Sequence, residues 1–196
     1  MLRSEDRGDN WTKISPDLDG GALRKLSESP LDSKRLVAGG RRRVYFTSDG
    51  GETWEQRSKG LPEKSISDVV TSHHNPEGAY VAMSGSSDGN PTSFLYVTDD
   101  FGKTWKPIGS QLPHETVYAI AEDSEVEGLL FAGTELGVYA SLDSGETWES
   151  LCATFPPAPV FDLQVHGRDG ALVAATHGLS IFLLEIEAIR RAAESQ

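Results

Sequence analysis

The stretch SLDSGETWES, residues 141–150, decides the fold, because the chain repeats it. Residues 47–54 read TSDGGETW and residues 98–105 read TDDFGKTW. Residues 4–11 read SEDRGDNW, a looser copy with Asn10 in place of the threonine. The shared pattern is Ser/Thr-x-Asp-x-Gly-x-Thr-Trp. All four tryptophans of the chain, Trp11, Trp54, Trp105 and Trp148, close a copy. Their spacings are 43, 51 and 43 residues. At such periods, propellers and repeat arrays are the first architectures to consider.

Between tryptophans the text is β-like. Residues 117–121 read VYAIA, followed by LLFAG at 129–133, GVYASL at 137–142 and TWESL at 147–151. These are short apolar runs punctuated by Gly, Asp or Pro. The same four-run scheme fills 22–57 and 65–108, and three further runs occupy 160–165, 171–176 and 179–185. Alternation is imperfect, as strands covered on both faces require. Four-stranded antiparallel units at this period predict an all-β propeller of about four to five blades over residues 1–185. Residues 186–196, IEAIRRAAESQ, predict a short C-terminal helix, with acidic residues leading and Arg190 and Arg191 following, the order a helix dipole favours.

The box falls between the third and fourth strand of each unit, at a hairpin. Asp6, Asp49, Asp100 and Asp143 sit where a carboxylate can accept backbone N–H bonds across the turn. Gly8, Gly51, Gly102 and Gly145 occupy a turn position that calls for positive φ. The hydroxyls of Thr53, Thr104 and Thr147 can bond locally, and each tryptophan can plug the gap between neighbouring units. An indole buries about 150–250 Å². At ~25 cal/mol/Å² that is roughly 4–6 kcal/mol per blade before entropy is counted. The box is therefore read as structural.

These motifs resemble the Asp-box, or BNR, repeat family, which includes sialidases, xyloglucanase-type glycoside hydrolases, sortilin-type receptor domains and photosystem assembly factors. The resemblance is strongest to the last blades of sortilin-like and "glycosyl hydrolase" BNR proteins. It is carried by NWTKISPDL at 10–18, FAGTELGVYASLDSGETW at 131–148 and ATHGLSIFLLE at 175–185. The family's usual ending places a Gly-Arg pair after THG; Leu179 and Ser180 stand there instead. The resemblance implies the C-terminal part of a larger ring, and a family whose members are often secreted or periplasmic.

Bulk properties narrow the partners. The chain has 196 residues, 37% apolar by a count that omits 20 glycines, which is an ordinary globular composition. A formal net charge of −12 disfavours generic binding to polyanionic nucleic acid. The single cysteine, Cys152, rules out an internal disulfide and reads as a small buried hydrophobe. The polar N-terminus lacks the apolar run of a signal peptide, and no stretch approaches the ~18 apolar residues a membrane helix needs. No cofactor or metal is expected. His73 and His74 lack further ligands in sequence reach.

Family resemblance places binding groups on the face opposite the boxes, in the loops joining second to third strands and one unit to the next. Those loops hold Arg41, Arg42 and Arg43, the segment 84–93 with Asp88 and Asn90, Glu135, and His177. The arginine run could grip a carboxylate or phosphate, or form a solvated hairpin tip. Segment 84–93 is the longest insertion, and its polar content suits sugar hydroxyls or simple flexibility. Asp68 and Asp162 hold matched positions in first strands, which line a channel.

The residues do not by themselves select a catalytic set, and if the chain is an enzyme the expected class is a glycoside hydrolase. Sialidase chemistry needs arginines distributed over several blades, whereas the candidates here cluster in one loop. Glycoside hydrolysis needs two carboxylates about 5–10 Å apart, and no local motif selects a pair from Asp68, Asp88, Glu135 and Asp162. The leading expectation is a non-catalytic scaffold that binds a protein or a glycan. The alternatives are the C-terminal part of a glycoside hydrolase and a photosystem-assembly-type propeller. Open blade edges predict homo-oligomers, unless the N-terminal strand completes the last unit and closes a four-blade ring.

Overall fold

The computed structural model describes all residues except 16, 17, 19–21, 85–91, 152–156 and 196. Cys152, Asp88 and Asn90 therefore lie outside the described residues.

The chain opens with a hairpin of β1 (Leu2–Arg3) and β2 (Thr12–Lys13), with the first box as its connection. Three four-stranded antiparallel meanders follow. The first contains β3 (Lys25–Glu28), β4 (Leu36–Gly39), β5 (Val44–Thr47) and β6 (Glu55–Gln56). The second contains β7 (Ser65–Thr71), β8 (Ala79–Ser84), β9 (Phe94–Thr98) and β10 (Lys106–Pro107). The third contains β11 (Val117–Glu122), β12 (Leu130–Thr134), β13 (Val138–Ser141) and β14 (Glu149–Ser150). A last sheet has three strands, β15 (Val160–His166), β16 (Ala171–Thr176) and β17 (Ile181–Glu185), and α1 (Glu187–Ala193) ends the chain. First strands lie side by side, β3 against β7, β7 against β11 and β11 against β15. The sheets are thus blades of a β-propeller, numbered one to four below, with their first strands innermost.

The core consists of apolar layers between blades. Val37, Val44 and Phe46 of blade one meet Ile66, Ala79, Val81 and Met83 of blade two. Tyr80, Ala82 and Leu95 on the opposite face of blade two meet Val117, Ile120, Leu130 and Ala132 of blade three. Leu129, Phe131 and Ala140 of blade three then meet Leu163, Leu172 and Ala174 of blade four. Each middle strand alternates between its two neighbours, so β8 and β12 are buried on both faces. This is why their sequences read as continuous apolar runs. Fourth strands are two residues long, shorter than the runs predicted, and β10 tolerates Pro107 because it is an edge.

Within a box, one hydroxyl and one carboxylate close the turn. The Thr47 hydroxyl donates to Asp49 at 2.7 Å and accepts from the Gly51 amide at 3.0 Å. Asp49 accepts from the Thr53 amide at 2.9 Å and from the Thr53 hydroxyl at 2.5 Å. Asp100 and Asp143 repeat the pattern with Thr104 and Thr147. In the first box, Asn10 supplies the same two donors to Asp6. The residue before each box glycine is also left-handed: Arg7, Gly50, Phe101 and Ser144 have φ of 61°, 76°, 61° and 60°.

The tryptophans do not all behave alike. The Trp54 indole donates to the Ile14 carbonyl at 3.0 Å, Trp105 to Arg57 at 2.9 Å, and Trp148 to Ile108 at 2.7 Å. Each acceptor belongs to the preceding unit and lies three residues past that unit's own tryptophan. Trp11 instead donates to Gly8 in its own box and is 60% exposed. The expectation that every box indole plugs a gap is corrected for Trp11, whose ring bonds within its own box and stands largely in solvent.

The N-terminal strand does not complete the last unit. β2 pairs with β1 alone, and the hairpin sits on blade one through Ile14 and Trp54. The C-terminal helix is anchored. Ile186 is fully buried, and Arg190 donates to Asp123 at 3.0 Å and to Glu187 at 3.0 Å.

Candidate functional site

Three of the four innermost strands carry a β-bulge near their start. Strand register skips between Ile66 and Asp68, between Val117 and Ala119, and between Val160 and Asp162. The extra residues are Ser67, Tyr118 and Phe161. A bulge re-aims a side chain, and these three share one cavity of 390 Å³ at the channel mouth, opposite the boxes. Blade one adds Arg24 and Lys25. The cavity thus takes residues from all four blades.

Tyr118 and Phe161 stack with ring centroids 4.4 Å apart and an interplanar angle of 20°. The His177 ring lies 5.3 Å from Phe161, and its amide is held by the Pro159 carbonyl at 2.8 Å. The Tyr118 hydroxyl donates to Glu135 at 3.3 Å. Burial, with the Glu135 charge beside it, raises the Tyr118 pKa, so the phenol stays neutral. Phe161 is 44% exposed, a large apolar face open to solvent inside a polar rim.

Two of the candidates named from the sequence, Glu135 and His177, come together here. Arg41, Arg42 and Arg43 do not join them. Arg42 and Arg43 line a separate cleft of 480 Å³ with Lys59 and Glu63, while Arg41 is exposed at the hairpin tip. Arg24 lines the cavity, and its amide is bonded to the Gly39 carbonyl just before that hairpin. The cavity thus holds Arg24 and Lys25, and the separate cleft holds Arg42, Arg43 and Lys59 beside Glu63. Sequence reading missed Arg24, Tyr118 and Phe161. The available signal was the position just before Asp68 and Asp162.

The channel below, 280 Å³, is lined by Asp68, Glu122, Asp162 and His73 among others. Asp68 is an internal brace. It meets Lys25 at 3.3 Å and accepts from the Ile120 amide at 3.1 Å. Burial raises its pKa against the pull of Lys25. Glu122 accepts from Ser72 at 3.0 Å and Tyr80 at 2.8 Å, and also from the His73 amide. Burial pushes its carboxyl up, but these donors outweigh it and hold it low. His74 reaches the Asp123 carbonyl at 2.8 Å, a tie between blades two and three. Among the described residues no group of three potential metal ligands gathers.

The family model for sortilin, neurotensin receptor 3 (Sortilin-Vps10) matches residues 1–114, more than half of the chain. The chain belongs to the Sortilin-Vps10 family. Among curated proteins, this Sortilin-Vps10 chain is 28% identical over 153 residues to the photosystem II stability/assembly factor HCF136 of Arabidopsis thaliana, covering 76% of the chain and 36% of that relative. It is also 28% identical over 186 residues to xyloglucanase Xgh74A of Acetivibrio thermocellus, covering 76% of the chain and 21% of that relative. The chain thus spans about a third and a fifth of these two proteins. Two solved propellers share the fold. The GH74 xyloglucanase of Xanthomonas campestris superposes with a TM-score of 0.73 at 13% identity, over 94% of this chain and 33% of that one. A Ycf48 structure with bound D1 peptide superposes with a TM-score of 0.69 at 19% identity, over 93% of this chain and 56% of that one.

Proposed function

We propose that this chain is a non-catalytic propeller scaffold whose channel mouth binds a segment of a partner protein. The observation that carries this reading is the bulged Tyr118–Phe161 stack, half open to solvent beside exposed Arg24. An apolar platform with a cation at its rim suits a peptide that offers an apolar anchor and a carboxylate. Likeness to a propeller seen with a bound peptide supports the same reading. So does the engagement of the nearby carboxylates, with Asp68 in the channel below braced by Lys25 and Glu135 receiving the Tyr118 hydroxyl.

A second reading treats the chain as the C-terminal part of a larger glycoside-hydrolase propeller. The xyloglucanase relatives favour it, and an exposed aromatic stack can also carry a sugar ring. The test is fluorescence polarisation with a labelled acidic peptide bearing one aromatic residue, beside hydrolysis and binding assays on a xyloglucan oligosaccharide. Peptide binding that Phe161→Ala or Arg24→Glu weakens by about tenfold supports the scaffold. Sugar binding or cleavage without peptide binding overturns it.

A further inference from the structure

We propose that Asp68 sets how many cations the channel mouth offers its ligand: ionised, it holds Lys25 against the channel wall, and neutral, it releases Lys25 into the cavity beside Arg24. This control rests on the peptide binding proposed above and concerns the same cavity. Lys25 belongs to two spaces. It lines the mouth with Arg24, Tyr118 and Phe161. Its ammonium nevertheless lies 3.3 Å from the carboxylate of Asp68, which lines the channel below. Lysine carries its charge on a flexible four-carbon stem, so one residue can serve either space.

The two partners are held unequally. Asp68 is 7% exposed, and two backbone amides from two blades fix it: Val69 donates to Oδ1 at 3.0 Å and Ile120 to Oδ2 at 3.1 Å. The Lys25 side chain is 34% exposed, and among the described residues Asp68 is its one ion-pair partner. The other charged or titratable groups lining channel and mouth are Arg24 and Glu28 of β3, His73 just past β7, Tyr118 and Glu122 of β11, and Asp162 of β15. Glu122 is already taken by Ser72, Tyr80 and the His73 amide. Glu28 and Asp162 are exposed, so solvent screens their pull on a freed ammonium.

Burial works against the Asp68 charge and raises its pKa, while Lys25 and the two amides pull the other way. A carboxyl so placed takes up its proton at a higher pH than an exposed aspartate, whose value is about 3.9. Carboxylates on a bound peptide therefore keep their charge across the interval in which Asp68 becomes neutral. Falling pH adds a cation to the mouth before it discharges the ligand. Capture of an anionic segment strengthens in mild acid.

The probe is a fluorescent peptide with one aromatic residue and cysteic acid in place of Asp and Glu, so that its sulfonates stay ionised throughout. Polarisation titrations from about pH 4.5 to about pH 7.5 compare wild type, Asp68→Asn and Asp68→Asn/Lys25→Met. Neither variant leaves a buried charge without its partner. At neutral pH, Asp68→Asn is expected to bind about fivefold tighter than wild type. Wild type is expected to approach that affinity as pH falls, and the double variant to lose the gain. A gain kept in the double variant would mean that Asp68 acts through its field alone, which overturns the proposal. Equal binding by wild type and Asp68→Asn at every pH overturns it too. Should the peptide bind none of the three, the scaffold reading fails, and Lys25 decides the release by itself. In protein carrying 13C-lysine, its ε-methylene signal, assigned with Lys25→Arg, is expected to shift as Asp68 protonates in wild type and to stay still in Asp68→Asn. A signal that moves alike in both, or in neither, overturns the release.

Discussion

The indole nitrogen of Trp148 lies 2.7 Å from the carbonyl oxygen of Ile108, forty residues back and one blade away. Trp105 repeats the relationship with Arg57 at 2.9 Å. Both rings are half-buried at the joint. Trp105→Ala or Trp148→Ala should lower stability by about 2–4 kcal/mol, somewhat below the figure for a fully buried aromatic. Trp11→Ala, with its ring largely in solvent, should change monomer stability by less than about 0.5 kcal/mol. Urea titrations at low protein concentration, followed by circular dichroism, compare the three. Equal losses in all of them would refute the joint as the source of stabilisation.

Backbone strain in the fourth box is open to correction. Ser144 sits at φ 60°, where a side chain is disfavoured, while Gly50 fills the same place in the first blade at φ 76°. Ser144→Gly should therefore raise stability by up to about 1 kcal/mol. The reverse holds at Gly102. Its φ is +76°, and an added Cβ would lie 2.6 Å from the Phe46 ring and 2.7 Å from Arg57 Cβ. Gly102→Ala should cost at least about 2 kcal/mol. Thermal unfolding of both variants tests the opposite signs.

Acid should act on the boxes. The Asn10 and Ser4 donors lower Asp6 to about 2, and the Thr104 and Thr98 donors lower Asp100 to about 2. Asp49 is lowered by Thr53 and Thr47. Burial pushes Asp143 up, yet Thr147 and Ser141 outweigh it. Carboxylates of this kind bind fewer protons folded than unfolded. Their stabilisation is present above the unfolded value of about 3.9 and is lost as pH falls through the folded values. The melting midpoint should drop between about pH 4 and pH 2, and Asp100→Asn should flatten that drop. Asp68 has the opposite sign, because burial raises its pKa and ionisation above that pKa works against the fold. Asp68→Asn should gain on the wild type as pH rises from acid to neutral.

The C-terminal helix is held by a buried ion pair. Asp123 is fully buried, and Arg190 is 8% exposed. Removing one partner strands the other, so Asp123→Asn or Arg190→Met should each cost about 3–5 kcal/mol. The double variant should lose much less than the sum. Strictly additive losses would mean that the two side chains act separately.

Much of the fold could be read from the chain because the box is a local device. Its hydroxyl, carboxylate, glycine and threonine bond within seven residues, so spacing alone locates each hairpin and, from it, each blade. Apolar runs such as those of β8 and β12 marked middle strands for the same reason: both faces of the strand are covered. The site was less legible. Tyr118 and Phe161 face the mouth only because a bulge shifts each by one position, and a bulge depends on the neighbouring strand's register. Arg24 joins the site by lying beside Gly39, a pairing set by the sheet. The anchoring of α1 was hidden too, since Arg190 and Asp123 are 67 residues apart.

The constant three-residue offset between one indole and the carbonyl that receives the next has an evolutionary corollary. Donor and acceptor recur together in each unit that carries a box, so one such unit can fit behind another. Gene segments of this length can be duplicated or deleted in frame without redesigning a joint. The 51-residue interval between Trp54 and Trp105 illustrates the tolerance: the sequence between β8 and β9 is longer than its counterparts, and the latch downstream still closes.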